Sequence, residues 1–514
     1  MEAVRSGRLN QVDKIVIQKR NQSVMNVISD YGVMNELSDH FSFFVPGYKF
    51  MPAFRNKVWD GKIRLFNAQS GELPVGLYPY VQEFAKPRGY HVEVEHDAMY
   101  GRPDATNDVD PKELNAFIES LNLRSRGTRI GPRDYQVEAI AEGIHRKRAI
   151  LLSPTGSGKS LIIYVLLRWL LEKTNKKLLI IVPTTSLVQQ MYTDFEDYSS
   201  ADEDWFVEDE CHRIYSGRPK KMDERVVIST WQSVYKLPGV WFEQFCGVFG
   251  DECHGFKSKS LTSIMNKSRE AEYRFGTTGT LDGTQTHKLV LEGHFGKIYN
   301  VTTTRKLQDK GTLAALDIKI LLLKYPEEIC RALKGVDYQA EIDFIVKNEA
   351  RNKLITNLTV DQDGNTLVLY QFVEKHGKPL YDMIREKAHE KRKVFFVSGS
   401  VEASDREQIR KIVEKQKNAI IVASLGTFST GINIRNLHNI VFASPSKSQI
   451  KILQSIGRGL RKSDNDVTTK LFDVADDLHW KSKKNYTLVH SAERIKIYAK
   501  ENFKYKIYEI ELKI

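Results

Sequence analysis

Cysteine is scarce: Cys211, Cys246, Cys253 and Cys330 are the only four among 514 residues, irregularly spaced, with no C-x-x-C pair and no Cys/His quartet. That scarcity argues against a disulfide framework, structural zinc or an iron–sulfur cluster. Long hydrophobic runs are missing too. The best apolar stretch, residues 161–171, is interrupted by Arg168 and falls well short of the ~20 residues that span a bilayer. The opening residues, MEAVRSGRLNQVDK, carry no apolar core of a secretory leader. No internal repeat or low-complexity segment is evident. These absences point to a cytoplasmic chain with reduced thiols and no membrane partner.

What is present is ordinary for a folded protein: 41% hydrophobic and 28% charged residues. At about 100–200 residues per domain, the length implies several compact units. Lys and Arg number 77 against 65 Asp and Glu, a net charge of +12. With a pI near 9.2, the average surface attracts polyanions, nucleic acid before an acidic membrane.

From about residue 148 short β-branched runs alternate with longer helical patterns, which predicts buried parallel strands joined by crossover helices. Expected strands are 148–152, 177–182, 225–229, 247–251 and 273–277, then 366–371, 392–397, 418–423, 437–443 and 470–474. The fold class is therefore α/β, two tandem parallel-sheet domains behind a small α+β N-terminal domain. The expected divisions are 1–125 for that first domain, 126–300 for the first sheet, 301–345 for a linker and the start of the second, 346–485 for the second, and 486–514 for a C-terminal segment. Residues 318–323 read as one more strand, and 111–121 as a helix.

Four motifs carry chemistry. Ser153-Pro154-Thr155-Gly156-Ser157-Gly158-Lys159-Ser160 lies between an apolar strand and the amphipathic helix Lys159–Lys173. Glycine-loop N–H groups and a helix N-terminus can cradle a triphosphate, with Lys159 on the β- and γ-phosphates and Ser160 on Mg²⁺. Ser153 stands where the usual motif has its first glycine, which requires an ordinary φ there. Asp251-Glu252-Cys253-His254 ends another strand; one of the two carboxylates can hold Mg²⁺ while the other orients and deprotonates a water. Gln454, Arg458 and Arg461 share one helical face at i, i+4 and i+7, suited to a γ-phosphate. Arg133-Asp134-Tyr135-Gln136 precedes the first sheet, and the Gln136 carboxamide matches the donor–acceptor edge of adenine.

These motifs, in this order and across two parallel-sheet domains, resemble the superfamily 2 DExH helicases over residues 128–480. The resemblance implies Arg133, Gln136, Pro154 to Ser160 and Gly431 at ATP, and Lys159, Asp251, Glu252, Gln454, Arg458 and Arg461 in catalysis. It further implies Thr184, Thr185, Thr230, Gln232 and Thr430 on a nucleic-acid backbone, and His254, Thr278, Gly279 and Thr280 coupling hydrolysis to movement. Asn433 stands where many members carry Asp. Phe54-Arg55 with Trp59-Asp60-Gly61-Lys62-Ile63-Arg64-Leu65 is similar to the N-terminal domain of phage UvsW-type recombination helicases. Lys62 and Arg64 would share one strand face toward DNA phosphates, after a turn at Asp60-Gly61. ATP and Mg²⁺ are the implied cofactors. Single-stranded and branched DNA are the implied partners, handled by a monomer in junction migration, fork regression, unwinding or annealing during recombination, replication and repair. A DExH RNA helicase, or the motor of a restriction or nuclease system, is the alternative.

Overall fold

A strand buried on both faces needs apolar residues without alternation, and runs such as Leu178 to Val182 satisfy that. The computed structural model describes residues 14–513 apart from 97, 282–283, 312, 314, 391, 400, 402, 428–435 and 446–467. Contacts divide the chain into two units: Met1–Leu152 with Lys159–Val301, and Thr302–Ile514 with the short loop Ser153–Gly158.

The first unit opens with β1 (Lys14–Lys19), β2 (Val24–Ile28), β3 (Ser42–Phe44), β4 (Lys62–Arg64), β5 (Glu72–Pro74) and β6 (His91–Glu95). A mixed sheet has the order β5-β2-β1-β6, and β3 pairs antiparallel with β4. Helices Tyr31–His40 and Tyr78–Ala85 close its core around Ile15, Ile17, Leu37, Phe66 and Phe84. Helix Pro111–Ser120, capped by Asp110, and the small hairpin β7 (Arg124–Ser125) and β8 (Thr128–Arg129) lead onward. The turn expected at Asp60-Gly61 is corrected here. The two paired strands are joined by the whole of 45–61, including helix Pro52–Arg55, and Gly61 closes this excursion at φ +83°.

The seven-stranded sheet that follows contains β9 (Arg148–Leu152), β10 (Lys177–Val182), β11 (Cys211–Ile214), β12 (Val226–Thr230), β13 (Phe245–Asp251), β14 (Tyr273–Thr278) and β15 (Ile298–Asn300). Its order is β11-β12-β10-β13-β14-β9-β15, and every ladder is parallel. Parallel strands send all their following loops to one edge, where open α/β sheets bind ligands. The N-terminal sheet is fixed to this one by buried contacts. Ser23 Oγ donates to Met265 O at 2.9 Å and accepts from Arg274 Nη2 at 2.7 Å. Gly76 lies so close to the helix Gln285–Phe295 that a Cβ would sit 2.0 Å from Glu292 O, so only glycine fits.

The second unit has β16 (Leu316–Lys324), β17 (Thr366–Tyr370), β18 (Val394–Val397), β19 (Ile420–Ser424), β20 (Asn439–Phe442), β21 (Thr469–Asp477) and β22 (Tyr505–Glu511). All are parallel in the order β18-β19-β17-β20-β21-β16-β22. β16 is thus an interior strand, and the stretch 486–514 supplies the helix Tyr486–Lys500 and the edge strand β22 of the same sheet. Two fully buried ion pairs brace it: Arg351 grips Asp476 at 2.7 and 3.0 Å, and Arg494 grips Asp473 at about 3 Å. Among the described residues, no helix is long and apolar enough to cross a membrane.

Candidate functional site

β9 ends at Leu152, and the loop 153–158 leads into the helix Lys159–Lys173. Gly156 and Gly158 adopt φ +85° and +81°, in the left-handed region that glycine enters without penalty. Ser153 has no positive φ, so the departure from glycine is tolerated. It is fully buried, and its Oγ is hydrogen-bonded to Ser157 Oγ, which itself donates to Pro154 O at 2.7 Å. Ser160 Oγ lies 2.9 Å from Tyr198 OH, a neighbour the motif did not announce.

The acidic pair sits where β13 runs out. Asp251 is its last residue and Glu252 follows at φ +49°, a left-handed conformation that costs about 1–3 kcal/mol for a non-glycine residue and clusters at functional sites. In the parallel ladder Asp251 is the register partner of Thr277, and Thr277 Oγ1 donates to Asp251 Oδ1 at 2.8 Å. Burial holds the Asp251 carboxyl above the usual range, the Glu252 carboxylate adds to that, and the Lys159 ammonium and Thr277 hydroxyl oppose it. Thr278 Oγ1 donates to Glu252 Oε2 at 3.4 Å and to Thr280 O at 3.0 Å. His254 Nδ1 is 3.0 Å from the same hydroxyl and 3.4 Å from Glu252 Oε2. The D-E-C-H box and the T-G-T segment are therefore one hydrogen-bonded assembly. Cys253 is fully buried, and burial pushes its thiol well up, so it is an inert packing residue.

Two further loops leave the same edge. Thr184 caps the helix Thr185–Tyr198, its Oγ1 accepting from Leu187 N and lying 3.0 Å from Ser186 Oγ. Thr230 Oγ1 contacts Ser233 Oγ at 2.9 Å, while the exposed Gln232 donates to Pro183 O at 3.4 Å and ties these loops together. Gln136 is buried, and its Oε1 accepts from Arg133 N at 2.7 Å, while its own backbone N donates to Arg133 O at 2.7 Å. Lys62 Nζ rests 5.0 Å from the Phe44 ring centroid, and Arg64 is paired with Asp60. Asp60 is held down at about 2 chiefly by that Arg64 bond. Thr430, Gly431, Gln454, Arg458 and Arg461 lie outside the described residues. Thr277 and Tyr198 were missed in the sequence; the register of β13 against β14 is the signal that finds Thr277.

Two all-parallel sheets, one bearing a phosphate loop and an acidic pair tied to a threonine strand, define a motor of helicase superfamily 2. Residues 129–283 match the family described as Type III restriction enzyme, res subunit, residues 14–95 match DNA helicase UvsW, N-terminal, and residues 347–463 match the Helicase conserved C-terminal domain. The ATP-dependent DNA helicase uvsW of Enterobacteria phage T4 is 37% identical over 507 residues, 95% of this chain and 98% of that protein. The crystal structure of T4 UvsW aligns over 97% of this chain and 100% of its own at 35% identity, with a TM-score of 0.51. The DNA 3'-5' translocase XPB2 of Sulfurisphaera tokodaii is 22% identical, over 68% of this chain and 83% of its own. The chain belongs to the UvsW family of ATP-hydrolysing DNA helicases.

Proposed function

We propose that the chain couples ATP hydrolysis to movement along DNA and remodels branched DNA by junction migration, fork regression, unwinding or annealing in recombination, replication and repair. The observation that carries the motor reading is the hydrogen-bonded link from Asp251, Glu252 and His254 to Thr277 and Thr278. Such a link lets a change at the nucleotide reach the strand that bears the T-G-T segment. Branched DNA as target rests on the kinship with UvsW.

Within this reading Lys159 holds the β- and γ-phosphates and Glu252 takes the proton of the attacking water. Arg133 and Gln136 serve the base, and Gln454, Arg458 and Arg461 complete the catalytic set. Thr184, Thr185, Thr230, Gln232 and Thr430 hold a DNA backbone, joined by Lys62 and Arg64. The Asp251 carboxylate and the Ser160 hydroxyl are hard oxygen donors of the kind Mg²⁺ takes. A buried carboxyl beside a second carboxylate favours a cation there, which fits the ion. Mg²⁺ would neutralise phosphate charge during transfer.

The test is steady-state ATP hydrolysis with no nucleic acid, single-stranded DNA, single-stranded RNA, duplex DNA and a four-way DNA junction, with Lys159→Ala as control. Stimulation greatest with the junction and absent in the variant supports the reading. Stimulation by RNA alone replaces it with an RNA helicase.

A further inference from the structure

The excursion between β3 and β4 combines aromatic residues with cations. Residues 44–64 hold five aromatics, Phe44, Tyr48, Phe50, Phe54 and Trp59, and five cations, Lys49, Arg55, Lys57, Lys62 and Arg64, against one acid, Asp60. Phe50 is 84% exposed and Val58 81% exposed, with Phe44 and Met51 also open to solvent. A groove of about 520 Å³ lies beside them, lined by Lys49, Phe54, Arg55, Lys57, Val58, Trp59 and, as its one acid, Asp60. That volume falls within the ~300–1,000 Å³ typical of ligand sites.

The segment is built to hold its shape. Phe44 stacks on Tyr48 at 4.6 Å between ring centroids, and Tyr48 meets Phe54 edge-on at 4.7 Å. Gly61 lets the Tyr48 ring close over the backbone, since a Cβ there would sit 2.3 Å from Tyr48 Cδ2. Trp59 Nε1 donates to Lys62 O at 2.8 Å, and Val45 N donates to Gly61 O at 2.8 Å. The ring contacts and these hydrogen bonds thus fix the backbone while the Phe50 and Val58 side chains stand out in solvent. Asp60 is taken up by Arg64, and among the described residues Lys49, Arg55 and Lys57 have no carboxylate partner.

Exposed apolar tips ringed by unpaired cations match a strongly anionic partner that also offers flat apolar faces. A second copy of this loop would bring like charges together, whereas unpaired DNA bases supply π-faces and their phosphates supply the charge. We propose that the 44–64 excursion is a preformed platform on which unpaired bases at a DNA branch stack against Phe50 and Trp59, with Lys49, Arg55 and Lys57 on the flanking phosphates. This rests on DNA being the track, and adds a base-contacting site distinct from the backbone grips.

The experiment uses the full chain and fluorescence anisotropy on a labelled fork with unpaired arms and on a blunt duplex of the same length. Phe50→Ala with Val58→Ser alters only exposed side chains, so folding is preserved. Stacking on an aromatic side chain predicts about a 10-fold or greater loss of fork affinity, with little change for the blunt duplex. Phe50→Trp should keep the affinity and show quenched emission when the fork binds. Undiminished fork binding by the double variant overturns the platform while leaving the DNA motor intact. Failure of the unaltered chain to bind any DNA overturns both. Loss of self-association in light scattering with DNA binding unchanged assigns the tip to a protein contact and refutes the proposal.

Discussion

Thr277→Val removes one hydroxyl from the site while keeping the volume of a side chain that is 2% exposed. Its hydrogen bond to Asp251 Oδ1 at 2.8 Å stabilises the ionised carboxyl, which burial and Glu252 already disfavour. A bond to a charged group contributes about 1.5–3 kcal/mol. Converted at about 1.4 kcal/mol per pH unit, its loss raises the Asp251 pKa by about one to two units. Since the ionised form is the one that binds a cation, activity is lost as pH falls through that pKa. The acid limb of the DNA-stimulated ATPase profile should therefore move to higher pH by about one to two units. Thr277→Ser, which keeps the donor, should leave the limb where it is. A valine variant whose acid limb coincides with that of the unaltered protein would refute the claim that Thr277 sets the charge on Asp251.

Glu252→Gln keeps shape but cannot accept a proton; hydrolysis should fall by about 10²–10⁴-fold while a fluorescent ATP analogue still binds. Asp476→Asn leaves the fully buried Arg351 without its counter-charge. It should lower the stability of the second unit by about 3–5 kcal/mol in urea denaturation. His376 and His294 are held near a pKa of about 3 by burial, with Arg351 acting on the first and Arg274 and Arg148 on the second. Each folded pKa lies below the unfolded value of about 6.5, so the unfolded chain binds more protons below that pH. Stability should fall as pH drops from about 6.5 toward about 3. His376→Gln should flatten that slope in urea midpoints measured across this range.

The motor strands were legible because interior parallel strands must be apolar on both faces: β9 and β10 have the bounds read from the sequence. Edges were not legible. β11 and β15 are short, and β22 exposes all but one of its residues, so none carries a continuous apolar signal. β16 was read as a lone run in a stretch without rhythm because the strands it pairs with, β21 and β22, lie far along the chain. The charges inside the second sheet were hidden for another reason. Asp473 and Asp476 look like strand-end residues until Arg494 and Arg351 arrive from distant helices to neutralise them. At the site, the phosphate loop and acidic pair follow from spacing alone. Their connection through Thr277 needs the strand order, which places β14 directly beside β13. Asp60-Gly61 misled because a turn-forming pair also serves to close a long excursion.

The most direct test of the central claim is a fluorescence-resolved assay of a synthetic four-way DNA junction whose arms separate only if the branch point moves. With ATP the unaltered protein should drive the junction to completion, and Lys159→Ala should leave it unresolved while still binding it. Equal resolution by the variant, or by the unaltered protein without ATP, would contradict the account, because branch movement would then owe nothing to the nucleotide site.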